Sequence, residues 1–305
     1  MGTTDKRVQF DFEIDFSNGG GIQGQGFRLD IDGDDIGDAA LADTIVRDLR
    51  LLMVGAVRIL NKQIIVERHK RAAGSVARDA AAAARHIDLS HAIEDGMITY
   101  KGLPAPIVCD HLSRVESRAH YAEGTEFQIG KLTMVANTGT YIDSPYHRFE
   151  NGKDIAGFDL DEVAGLDGVV VRVAGMRGRA IDRHAFLPID VHGKAVLVHT
   201  GWDRHWRSDR YFEGHPFLTA GAADHLRAAG ARLVGIDSLN IDDIADGHRP
   251  VHTTLLGAGI PIVEHLCGLE QLPVDGFRFS AVSVKVKGMG TFPVRAYATL
   301  DAVSS

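Results

Sequence analysis

Asp143 and His147 lie four residues apart in the stretch Asn137-Thr138-Gly139-Thr140-Tyr141-Ile142-Asp143-Ser144-Pro145-Tyr146-His147. Its small and turn-forming residues deliver both side chains to one spot. Far downstream, His252 and Glu264 stand twelve residues apart across an apolar 255–263 segment. Asp, His and Glu are hard-to-intermediate metal ligands, and an imidazole carries protons near neutral pH. The four together predict a hydrolytic centre. Each also has a plainer reading: Asp143 before Ser-Pro as a turn cap, His147 as a surface histidine, and His252 with Glu264 as an ion pair without metal.

Those residues need elements to hold them. Residues 8–16 alternate apolar and acidic, the pattern of a half-buried strand, and glycines 19–21 turn the chain into a second strand over 22–31. Apolar positions 41, 45, 49, 52 and 53 predict a helix over 38–57 with Asp38 as N-cap, and 59–66 returns as a strand. This ββαβ unit, placed at 1–71, has an apolar face that about 70 residues barely cover alone. It therefore predicts a contact with a neighbouring subunit or the catalytic domain, and a homo-oligomer. The Ala-rich 72–86 segment reads as a linker. From 87 to 305 a catalytic domain is expected, with short apolar strands at 168–173, 194–199, 232–236 and 278–284. Helices are expected at 219–229, capped by Thr219 and stopped by Gly230, and near 261–267. The fold class is α+β. Asp237, Asp242 and Asp243 read as caps of the loop after strand 232–236. The glycines at 19–26 lack the Lys-Ser/Thr of a phosphate loop, and neither Ser90 nor Ser144 sits in a nucleophile elbow.

Composition narrows the partners. Hydrophobic content of 45% with 24% charged residues fits a globular domain, and a formal charge of −8 argues against nucleic acid or an anionic membrane. No apolar run approaches the roughly 20 residues of a membrane span. Two cysteines, Cys109 and Cys267, make no disulfide scaffold, and the start of the chain runs directly into a strand pattern. A cytoplasmic protein acting on a small-molecule substrate is expected.

The motifs, in order, resemble a superfamily of cyclases that includes kynurenine formamidase and isatin hydrolase. The family pattern His-x-Gly-Thr-His-x-Asp-x-Pro-x-His appears here as the 137–147 stretch. Further matching segments are Asp88-Leu89-Ser90, Thr200-Gly201-Trp202, His215-Pro216, Gly235-Ile236-Asp237, His252 through Glu264, and Gly290-Thr291-Phe292-Pro293-Val294-Arg295. The resemblance implies a kynurenine formamidase-like β/β/α domain. It also implies one metal site at Asn137, Tyr141, Asp143 and Glu264, and a second at Asp143, His252 and Glu264. Only the second keeps its family residues, because Asn137 and Tyr141 stand where the family has histidines. An amide and a phenol of pKa about 10 are poor zinc ligands, so at most one divalent ion, Zn or Mn, is expected, and a metal-free site is the alternative.

By the same resemblance His147 is the acid/base. Tyr141 either donates to a developing oxyanion or fills the space of a lost ligand. Asn137 could orient a carbonyl, and Tyr100 and Trp202 would wall in an aromatic or polyketide-like substrate. The expected activity is hydrolysis or cyclisation at an amide, lactone or lactam carbonyl. The alternatives are a metal-free cyclase, dehydratase or isomerase using His147 and Tyr141, or a decayed site serving as a binding scaffold.

Overall fold

The computed structural model describes residues 5–17, 19–31, 33–49, 51, 53–67 and 84–300. The chain divides into two compact units, residues 1–79 and 80–305. The first contains β1 (Asp5–Phe16), β2 (Gly21–Asp30), α1 (Asp38–Asp48) and β3 (Val54–Glu67), with antiparallel order β2-β1-β3. Val8, Phe10, Phe12 and Ile14 alternate into its core, where Leu41 and Ile45 of α1 join them.

Two expectations change here. The helix ends at Asp48 rather than 57, because the β-branched residues from Val54 onward pair with β1, Val57 opposite Ile14. Gly37, not Asp38, is the N-cap; Asp38 sits in the first turn, 2.8 Å from Lys62 Nζ. Most of the expected 72–86 linker lies outside the described residues, but Arg85 and His86 belong to a strand of the second unit.

That unit runs β4 (Arg85–Asp88), β5 (Ile107–Leu112), α2 (Arg114–Ser117), β6 (Ile129–Thr133), β7 (Tyr141–Asp143), α3 (Leu160–Val163), β8 (Leu166–Arg172) and β9 (Ala180–Ile181). It continues with β10 (Ala195–His199), β11 (Phe217–Leu218), α4 (Ala220–Ala228), β12 (Leu233–Ile236), α5 (Pro250–Gly257), β13 (Ile262–Glu264), β14 (Phe277–Ser283) and β15 (Thr291–Leu300). The main sheet has the order β14-β8-β10-β12-β13-β7-β15-β4, and a further β14–β15 pairing closes seven strands into a barrel-like ring. Strands β8, β10, β12 and β13 are parallel. Both of their faces are buried, which is why their sequences read as continuous apolar runs. Val170 and Leu197 enter one core with Ile142, while Val169, Val171, Val196 and Val198 enter another, covered by Leu226 of α4 and Leu255 of α5.

Helix α4 forms where Thr219 predicts it, and the Thr219 hydroxyl accepts from Ala222 N–H at 3.2 Å. The helix expected near 261–267 is instead strand β13. Ile262 and Val263 are β-branched and pair on both sides, with β12 and β7. The helix lies upstream as α5, opened by Pro250 at its first position.

Strand β7 sits between β13 and β15. Its register sets Tyr141 opposite Glu264, and Asp143 opposite both Ile262 and Thr291. With a side-chain period of two, Tyr141 and Asp143 share one face while Ile142 goes to the core. Among the described residues no helix is long and apolar enough to cross a membrane.

Candidate active site

Asp143 is fully buried. The Thr291 hydroxyl donates to its Oδ1, while its Oδ2 has no hydrogen-bond partner among the described residues. From Ser144 the chain enters a short turn over Pro145–His147. Gly290 packs so closely there that a Cβ would lie 2.5 Å from His147 Cα. His147 Nδ1 is 2.8 Å from Thr291 Oγ1 and 3.8 Å from Asp143 Oδ1. The one Thr291 proton points at Asp143, so the proton between Thr291 and His147 belongs to Nδ1. Nε2 is then left as a base, an assignment that follows from the hydrogen-bond network.

His252 comes from α5. Its Nδ1 is 2.6 Å from Asp242 Oδ2, and Asp242 also accepts the N–H groups of Val251 at 2.8 Å and His252 at 3.0 Å. One carboxylate thus caps the helix and fixes the imidazole. On the other side, Nε2 lies 3.6 Å from Asp143 Oδ2 and 3.7 Å from Glu264 Oε1. Burial works to lower the His252 pKa, but Asp143, Asp242 and Glu264 outweigh it and push it up to about 10. Burial, aided by the charge of Asp143 and opposed by that of His252, pushes Glu264 up to about 7. Three buried carboxylates around one ring favour a proton on that ring or on Glu264, or a metal.

The neighbouring wall is closed by hydrogen bonds. Glu264 Oε1 accepts Ile241 N–H at 2.6 Å, and Oε2 accepts the Tyr141 hydroxyl at 2.7 Å and Asn240 Nδ2 at 3.4 Å. Tyr141 in turn accepts from His265 Nε2 at 3.3 Å, and His265 Nδ1 accepts from Tyr211 at 2.8 Å. Burial pushes His265 down to about 3, so it stays neutral and holds that tautomer. Burial raises Tyr141 well above the usual phenol value, so it remains a donor.

Asp143, His147 and His252 each offer a donor atom, and these atoms lie within 4.8 Å of one another. Tetrahedral bonds of about 2.0–2.2 Å place ligand atoms roughly 3.3–3.6 Å apart. The 3.6 Å separation of His252 Nε2 from Asp143 Oδ2 sits at the upper edge of that range, and the 3.7 Å separation from Glu264 Oε1 lies just beyond it. With the unpartnered Asp143 Oδ2 and the Asp242-oriented imidazole, the donor set fits a divalent ion. The expected third ligand, Glu264, is not in the closest trio. Its Oε1 accepts from Ile241 yet lies 3.7 Å from His252 Nε2, whereas His147 Nδ1 is engaged by Thr291.

A cavity of about 400 Å³ reaches this corner, lined by Tyr100, Asn137, Tyr141, His147, His252 and Glu264 together with Lys101, Asn240 and Arg249. Trp202 does not line it. Its indole N–H donates to the Tyr211 carbonyl at 3.0 Å and its ring is buried beside Leu239, so of the two expected wall residues Tyr100 lines the cavity and Trp202 does not. Tyr141 lines the cavity but its proton lies on Glu264, so in this geometry it orients a carboxylate rather than an incoming carbonyl oxygen. Asp237 accepts the Thr200 and Gly201 N–H groups, so it caps the loop after β10 rather than the expected one after 232–236. Asp242, Thr291, His265 and Arg249 were not foreseen as site residues. The sequence signals were the carboxylate cluster at 237–243 and, for Thr291, the matching 290–295 segment. His265 escapes pattern reading because its backbone turns to φ +56 just after β13.

Fold and site define a barrel-like α+β enzyme with an Asp/His cluster that could hold a metal ion. Residues 87–243 match the model of the Cyclase family, described as "Putative cyclase", and the chain belongs to that family. It is a cyclase/amidohydrolase-like hydrolase. A kynurenine formamidase from Geobacillus thermodenitrificans is 28% identical over 212 residues, covering 69% of this chain and 95% of the relative. A solved structure described as a potential metal-dependent hydrolase with cyclase activity has a TM-score of 0.59 at 26% identity, covering 71% of this chain and 98% of its own. Isatin hydrolase A from Labrenzia aggregata shares the fold, with a TM-score of 0.61 at 20% identity, covering 72% of this chain and 94% of its own.

Proposed function

We propose that this chain hydrolyses the acyl bond at a carbonyl carbon, in an open-chain amide, a lactam or a lactone, within the 400 Å³ cavity. The observation that carries this reading is the convergence of Asp143, His147 and His252 within 4.8 Å beside that cavity. The relatives named formamidase and isatin hydrolase support the choice of bond.

The steps follow from the chain's own groups. Thr291 holds His147 by Nδ1, and Nε2 takes a proton from water as the water oxygen bonds to the carbonyl carbon. The carbonyl oxygen gains charge. As it collapses, the bond to the leaving nitrogen or oxygen breaks, and His147 Nε2–H returns its proton to that atom. Asp143, His252 and Glu264 would hold a divalent ion, which leaves His147 Nε2 free for the proton. When bound, such an ion polarises the carbonyl and lowers the pKa of water. Asp242 keeps the His252 imidazole aimed, and the closed wall around Glu264 keeps that carboxylate from turning away.

The test is a panel of aryl formamides, lactams and lactones with purified protein, followed by elemental analysis. Turnover of at least one carbonyl class, lost on dialysis against a chelator and restored by Zn or Mn, is expected. A metal-replete protein inert to every class would remove the hydrolase reading. Turnover indifferent to chelation would leave His147 working without an ion.

A further inference from the structure

We propose that Arg249 is the anion-binding half of this site, so that the carbonyl compound processed here carries a carboxylate. The inference rests on the hydrolase reading for its reacting end only. Arg249 lines the same cavity as His147, His252 and Glu264. Its guanidinium is half-buried, and Nη1 alone is engaged, with Asn240 Oδ1 at 3.3 Å and the Asp243 carbonyl at 3.4 Å. Nε and Nη2 have no partner among the described residues. The adjacent Asp243 carboxylate is taken instead by Arg179, at 3.5 Å.

Two further features show that the cation is held against local preference. Arg249 is a non-glycine residue at φ +50, ψ +57, a left-handed conformation that persists only where surroundings enforce it and that clusters at ligand sites. It also stands at the N-terminus of α5, the positive end of the helix dipole, where a cation is disfavoured. Asp242 already caps that N-terminus and Asp246 lies within electrostatic reach, so what an anion in the cavity would gain is the open half of the Arg249 fork. A planar fork with two free nitrogens selects a carboxylate, which it can bind in bidentate fashion.

Asn240 sets the geometry. Its Oδ1 holds Arg249 while its Nδ2 reaches Glu264 Oε2 at 3.4 Å, so the fork and the reacting corner are one amide apart. Lys101 adds a second cation to the lining, but its ammonium lies over the Phe212 ring at 5.1 Å and is a point charge without the fork.

The test compares formanilide with the 2-, 3- and 4-formamidobenzoates as substrates, and measures binding of the matching aminobenzoates by calorimetry. Hydrogen bonds to a charged group make the expected kcat/KM preference for the best formamidobenzoate about 10- to 100-fold. The preference should fall to about one in Arg249→Gln and be intermediate in Arg249→Lys, with thermal melts confirming that each variant folds. Hydrolysis without any such preference in the wild type, or a preference unchanged in Arg249→Gln, overturns the subsite and leaves the hydrolase reading standing. If no formamide is hydrolysed, the hydrolase reading fails for this class and calorimetry decides the subsite alone. Aminobenzoate binding at least tenfold weaker in Arg249→Gln upholds it, and equal binding overturns it.

Discussion

Two corners of one cavity, built from neighbouring strands, treat their polar atoms differently. At Asp143, His147 and His252 donor atoms face one another without hydrogen bonds between them, and Asp143 Oδ2 has no partner. At Tyr141, Glu264 and His265 every donor finds an acceptor, in a chain running from Tyr211 to Glu264. Open lone pairs in a buried place are costly unless a cation or substrate uses them. The first corner therefore reads as chemistry and the second as its support. Family resemblance puts histidines where Asn137 and Tyr141 stand, so the substitutions turn a wall suited to metal into a hydrogen-bonded one.

The largest expected effect separates the corners directly. His147→Ala should lower turnover by about 10²–10⁴, the usual contribution of a positioned acid/base, with the melting temperature nearly unchanged since the side chain is 36% exposed. Steady-state kinetics with an active formamide measures it; a loss under tenfold would move the proton chemistry elsewhere.

The closed corner should instead be sensitive to acid. His91 stacks on Trp206 at 4.0 Å, and Trp206 meets His265 edge-on at 5.6 Å. Burial lowers His91 to about 4 and His265 to about 3. Both are bases with depressed folded values, so the unfolded chain binds the extra protons. Stability is thus complete above about pH 6.5 and is lost as pH falls toward 4. The His91 share is about 3 kcal/mol. Melts between pH 7.5 and 4.5 should show a slope that flattens in His91→Phe, which keeps a flat ring; an identical slope would assign the effect to other groups.

Asp242→Asn touches the open corner from behind. It replaces the carboxylate that orients His252 and should weaken bound divalent ion or activity about 10- to 100-fold. Equal metal content and activity in the variant would make Asp242 a helix cap and nothing more.

The smallest effect on activity is expected from Tyr141→Phe, under about tenfold, because the phenol donates to Glu264 rather than to the cavity. Leaving Glu264 short of a buried donor should cost about 1–3 kcal/mol of stability. A turnover loss of about 10² or more, typical of a missing oxyanion donor, would reverse the assignment and return Tyr141 to the substrate. Asn137→His with Tyr141→His should raise zinc content, which elemental analysis reads.

Local sequence carried much of this. The alternation Val8, Phe10, Phe12, Ile14 shows as a strand because one buried face imposes a period of two. Thr219 and Gly230 bracket α4 because capping needs only nearby atoms. The pairing of Asp143 with His147 was legible in their four-residue spacing, and that of His252 with them only through ordered motifs. What local reading could not reach depended on strand pairing. Residues 261–267 look helical until β12 and β7 take Ile262 and Val263 as a strand between them. Trp202 looks like a substrate wall until Tyr211 and Leu239 enclose it.

The sequence by itself determined which chemistry was available, since ligand types, acid–base groups and the two departures at Asn137 and Tyr141 are properties of residues. Tertiary structure alone decided which of them act. The β13–β7–β15 register sets Glu264 against Tyr141 and Thr291 against Asp143, committing one phenol proton and freeing one imidazole nitrogen. The loop after β12 brings Asp242 behind His252 and leaves Arg249 facing the cavity. Hydrogen bonds and charge act over a few ångströms, and only the closed sheet brings atoms more than a hundred residues apart within that range.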